Sequence, residues 1–139
     1  MALAAGFLSA VADRFGLWGD AGTSQVGWGN FEAFTQYVQT LAPYLPTALV
    51  TVTAWGVTVV ETLLGGTLLL GVKVRWAALG SAATLFVFAV SMFIFGGFET
   101  PLSASVFTAT AAALLLMLAP SASYIFSLDR LQDPRSPST

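Results

Sequence analysis

The chain has no cysteine and no histidine among its 139 residues. Their absence excludes disulfides, thiol redox centres, iron–sulfur ligation, structural zinc and the usual haem ligand, and no metal site is expected. It also removes the general base that a serine or cysteine nucleophile needs in a triad. Charge is scarce as well: 9% of residues are charged, against about 25% in an ordinary soluble domain. A formal net charge of −2, with no basic block, gives no reason to expect nucleic acid as a partner. What fills the chain instead is apolar, 56% of it, so the partner to expect is the lipid bilayer. Any redox role must use a borrowed cofactor or another protein.

Four apolar stretches appear, at about residues 1–18, 47–72, 76–95 and 101–119. A hydrocarbon core about 30 Å thick needs about 20 helical residues, which the last three stretches supply. The first does so only if Asp13 and Arg14 lie inside the span. It lacks the basic start and small-residue cleavage site of a secretory signal. Met1 starts directly on it, so the reading frame is expected to begin somewhat upstream. Between the first two stretches, Gly19 to Gly29 reads as loop and Asn30 as the cap of a short helix. Phe31, Phe34, Val38 and Leu41 share one face of that helix, which predicts an amphipathic segment on the membrane or capping the bundle; an ordinary exposed loop helix is the other reading. The later connections are short, so the expected fold is all-α: a four-helix transmembrane bundle, up-down-up-down, with a short amphipathic helix in the outer first connection. It forms one domain over residues 1–131, with a disordered tail at 132–139. Lys73, Arg75, Arg130 and Arg135 fall on one side, which predicts a multi-pass bacterial-type inner-membrane protein with both termini cytoplasmic.

Placing Asp, Glu or Arg at the centre of a membrane helix costs about 2.5–3.5 kcal/mol each, so Asp13, Arg14 and Glu61 should face one another. Counting helix rise from the cytoplasmic ends puts Asp13 at about 18 Å and Glu61 at about 16 Å, with Ser91 and Ser105 near 22 Å and Thr108 near 18 Å. These six form a candidate intramembrane polar layer. Arg14 stacks over the turn carrying Trp18, which offers a cation–π contact or a reach toward Glu61. The layer is either a satisfied ion network that sets helix register or the wall of a cavity for a small polar or amphipathic molecule. Trp18, Trp28, Tyr37 and Tyr44 read as an interfacial aromatic belt. Thr58 and the other threonines of the second stretch read as bonding to their own backbone.

The segments "GFLSAVADRFGLWG", "GWGNFEAFTQYVQTLAPYLP", "VVETLLGGTLLLGVKVRWAALGSA", "PLSASVF" and "YIFSLDRL" together resemble the DoxX-like membrane proteins. That resemblance implies a four-helix membrane bundle linked to redox or sulfur metabolism. By position it places Asp13 and Arg14 at the polar end of the first helix, Glu61 in the second, and Ser105 to Phe107 at the opening of the fourth. The expected function is an accessory subunit, without catalysis of its own, of a quinone-linked redox or sulfur-oxidation system. Its partners would be a membrane or periplasmic redox protein and, in a homo-oligomer, further copies of itself. A solute transporter-like oligomer and a purely structural assembly subunit are the alternatives.

Overall fold

Pro46 opens the longest helix and Gly71 closes it, the latter in the left-handed region at φ 66°, with the Val72 N–H bonded to the Thr67 carbonyl. Glycine takes that conformation without the strain a side chain brings. In the computed structural model, which describes residues 1–24 and 26–120, six helices follow in order: α1 Ala2–Arg14, α2 Phe31–Leu41, α3 Thr47–Leu70, α4 Val74–Phe95, α5 Glu99–Ser103 and α6 Val106–Leu118. No strand occurs among the described residues. The expected tail at 132–139, the "YIFSLDRL" segment, Arg130 and Arg135 lie outside them.

Helices α3 and α4, of 24 and 22 residues, are about 36 and 33 Å long at 1.5 Å per residue, enough to cross a bilayer. Both qualify as membrane spans by length and composition. Their outer faces expose Val52, Leu63, Leu70, Phe86, Phe93 and Ile94, large apolar groups that water would not tolerate as one surface.

The first and last apolar stretches differ from the expectation of single helices. α1 ends at Arg14, not at Trp18, because Gly16 turns the chain at φ 72°. The Leu17 N–H then bonds to the Ala12 carbonyl and the Gly16 N–H to the Asp13 carbonyl, a Schellman stop that satisfies carbonyls the helix leaves open. The last stretch is two helices, broken at Ala104 and Ser105. There the hydroxyls of Thr100 and Ser103 bond back to the carbonyls of Gly96 and Thr100, in competition with the helical pattern. Ser105 adopts φ 55°, which an L-residue takes at a steric cost.

The helices pack as two pairs, α1 on α3 and α4 on α6, joined where α3 meets α4. Ala4 and Phe7 of α1 share an apolar cluster with Leu68, Val74 and Ala77. The two helices come close because Gly65 has no side chain: a Cβ there would lie 2.9 Å from Leu8. α2 seats Phe34 and Val38 against Val50 and Ala54. Its cap is Asn30, whose side chain accepts from the Ala33 N–H at 2.8 Å. α2 therefore lies over one end of the α1–α3 pair with its apolar face inward, and the reading of an exposed loop helix is excluded.

Candidate ligand cavity

Arg14 is the last residue of α1, and its side chain is turned wholly inward, 1% exposed. A guanidinium so placed survives only if its charge and donors are met. Its Nη2 is ion-paired with Glu61 Oε2 of α3, and its Nη1 donates to Thr58 Oγ1 at 2.9 Å. The Thr58 hydroxyl in turn donates to the Ala54 carbonyl at 2.8 Å. The guanidinium carbon lies 3.7 Å from the ring centroid of Phe34 and 5.4 Å from that of Trp28. Arg14 is thus held from α3 on one side and covered by aromatic rings from α2 and its preceding loop on the other. The expected contact with Trp18 is not the one formed. Trp18 folds back to donate its indole N–H to the Ser9 carbonyl at 3.0 Å, because the stop at Gly16 carries it off the helix.

Asp13 serves a different element. It is 6% exposed, and its Oδ2 accepts the Trp28 backbone N–H at 2.8 Å. The approach is possible because Gly27 is small: a Cβ there would stand 2.9 Å from the carboxylate. The two adjacent charged residues therefore divide their work. Asp13 ties the loop between α1 and α2 to the end of α1, and Arg14 joins α1 to α3.

Beside the ion pair lies a cavity of about 670 Å³. Its wall takes Gly6, Phe7 and Ala10 from α1, Leu85, Phe88 and Met92 from α4, and Ala109 and Ala112 from α6. Phe34, Tyr37 and Val38 of α2 close one end with Trp28. Small residues on α1 and α6 leave the space open between the two helix pairs. Arg14, Glu61, Ser105 and Thr108 reach it as well. Ser91 is half-buried on α4 and is not part of the wall, since Leu85, Phe88 and Met92 occupy the helical face that turns to the cavity.

Of the aromatic residues read as an interfacial belt, Trp18 and Tyr44 are exposed, while Trp28 and Tyr37 line the cavity. Burial pushes the Tyr37 phenol above its ordinary value. Thr58 and Phe34 are the site residues that sequence reasoning missed. Thr58 stands three residues before Glu61 and so on its face, a signal that its ordinary bond to Ala54 masked.

An all-helical membrane protein, with a buried ion pair at the edge of an apolar cavity, is the class that these observations define. The model of the family "Methylamine utilisation protein MauE" matches residues 1–101, and the chain belongs to that family. The DoxX-like resemblance is thereby corrected. It rested on apolar and aromatic segments around isolated acidic residues, and such segments reflect the demands of lipid more than descent. α6, with its part of the cavity wall, lies beyond the matched residues. No curated protein matches the chain, and no solved structure does.

Proposed function

We propose that the chain is an accessory membrane subunit of an amine-oxidising redox system, without catalysis of its own, and that its cavity holds a lipophilic molecule with a polar head, such as a quinone. The family's printed name supplies the tie to methylamine utilisation. Oxidising an amine releases electrons, and a membrane subunit beside such an enzyme is well placed to present a lipid-soluble acceptor. The observation that carries the reading is the cavity of about 670 Å³, apolar along most of its wall and bordered by the Arg14–Glu61 pair. A volume of this size suits a small organic ligand, and a few polar groups in an apolar wall orient one.

In the proposed arrangement α1, α3, α4 and the broken α5–α6 segment are the four rungs of an up-down-up-down bundle spanning residues 1–131. Lys73 and Arg75 mark the cytoplasmic side with both termini, and α2 faces outward toward a membrane or periplasmic redox partner. Purification from the native membrane in a mild detergent tests the function. Co-elution of a redox enzyme, with quinone extracted in near-equal amount, is the expected result, and Ala109→Leu, which narrows the cavity and leaves the ion pair in place, should lose the quinone while its melting temperature is kept. Preparations free of quinone and of any redox protein would overturn it. Solute uptake by vesicles carrying the chain alone would favour the transport reading instead.

A further inference from the structure

The carboxylate of Glu61 has one oxygen to spare. Its Oε2 is ion-paired with Arg14 Nη2 and closed off from anything the size of water. Its Oε1 has no hydrogen-bond partner among the described residues, yet it is not closed off, and Glu61 borders the cavity while only 3% exposed. That oxygen therefore opens into the space. A carboxylate oxygen facing an apolar wall lacks the donors that bulk water would give it, and water itself is poorly kept where few polar partners stand.

The other polar groups of the wall do not choose between heads. The hydroxyls of Tyr37, Ser105 and Thr108 border the same cavity and make no hydrogen bond among the described residues. A hydroxyl gives or accepts, so these suit any polar head. The indole of Trp28, also in the wall, only donates, and the oxygen of an alcohol or phenol serves it as a carbonyl does. Glu61 Oε1 is the discriminating group, because an ionised carboxylate only accepts. A carbonyl set against it brings lone pair to lone pair, and an acid head brings like charge. Arg14 already neutralises Glu61, so a neutral donor suffices.

We propose that the cavity selects lipophilic molecules whose head carries a hydroxyl, donated to Glu61 Oε1, and that it therefore binds a quinol more tightly than the corresponding quinone. The inference rests on the reading above that the cavity is a ligand site, and it names the head that the site prefers. A hydrogen bond to a charged acceptor is worth about ten- to a hundredfold in affinity. Tighter binding of the reduced form makes the bound quinone the stronger oxidant, by about 30 mV for each tenfold in a two-electron couple. A quinone held there takes electrons more readily than one in the surrounding lipid.

The test is nuclear magnetic resonance of the full chain, labelled at the methionine methyls, in dodecylphosphocholine, a detergent without a hydroxyl. Met92 lines the cavity and Met117 does not, so the first reports binding and the second is the control. The probes are decyl-p-hydroquinone kept reduced with dithionite, decyl-p-benzoquinone, 1-decanol and the methyl ether of decanol. Each should move Met92 and leave Met117 in place. The hydroquinone should bind about ten- to a hundredfold more tightly than the quinone, and decanol more tightly than its ether. Arg14→Leu combined with Glu61→Leu should level both preferences while Met92 still responds. Equal affinities within both pairs overturn the selection and leave the cavity as a ligand site. A preference that survives in the double variant removes Glu61 as its cause. If no probe moves Met92, the ligand site falls as well.

Discussion

Removing Arg14 strands a carboxylate, and removing Glu61 strands a guanidinium. Either loss leaves an uncompensated buried charge, which typically costs about 3–5 kcal/mol, whereas replacing the pair by apolar groups of similar size is often neutral. Arg14→Leu and Glu61→Leu should therefore each lower stability by about that amount, and the double variant should recover most of it. Denaturant titration in detergent, run as a double-mutant cycle, measures this coupling; additive losses would mean that the pair does not act as a unit. Asp13→Ala should behave differently. It removes a hydrogen bond to a charged acceptor, worth about 1.5–3 kcal/mol, and frees the loop at Trp28. Faster hydrogen exchange at that amide, with the Arg14–Glu61 coupling retained, is the expected signature. Tyr37 gives a pH prediction. Burial raises its phenol, so the stabilising contribution is fully present below the unfolded value of about 10 and is lost as pH rises through the higher folded value. Absorbance titration of the tyrosinates should show a late-titrating group that Tyr37→Phe removes.

Among the elements, close approach and open space can be told apart by single substitutions. Gly65 faces Leu8 and Phe7 across the α1–α3 contact, whereas Gly66 has nothing within 4 Å of a Cβ. Gly65→Leu should overpack that contact and cost about 1–3 kcal/mol. Gly66→Ala, in a helix interior, should raise stability by about 0.5–1 kcal/mol. Melting curves of the two variants decide it, and equal effects would mean that the contact is slack. The same contrast explains how much of the architecture could be read from the residues. The extents of α3 and α4 were legible because uninterrupted apolar length is itself the signal, and α2 because its apolar residues repeat at helical spacing behind a good cap. The ends of α1 and the break before α6 were not. An apolar run ending in Asp-Arg looks continuous until Gly16 is seen to take a left-handed turn, and nothing local to Ser105 distinguishes it from a serine inside a helix. At the site, the ion pair was legible from the cost of unpaired charge in lipid. The cover that Phe34 and Trp28 place over Arg14 was not, since it depends on how α2 docks.

For the molecule as a whole, the lack of cysteine makes topology directly testable. Cysteines introduced one at a time at Gly22, between α1 and α2, and at Val72, between α3 and α4, should differ in labelling by a membrane-impermeant thiol reagent in intact cells. The first should react and the second should not; the opposite pattern would invert the proposed orientation. The whole also explains why one cavity draws on five helices and the loop before α2. Two tightly packed pairs meet mainly along α3 and α4, and the gap left between α1 and α6 is lined by Gly6 and Ala10 of the one and Ala109 and Ala112 of the other.

The length of α3 has a consequence for the membrane itself. Its 24 residues rise about 36 Å, more than a hydrocarbon slab about 30 Å thick requires. A rod too long for its slab leans or thickens the lipid beside it, at a modest cost per ångström of mismatch. Crossing a bilayer, α3 would therefore lean, and in a membrane of uneven thickness the chain would gather where the lipid is thickest.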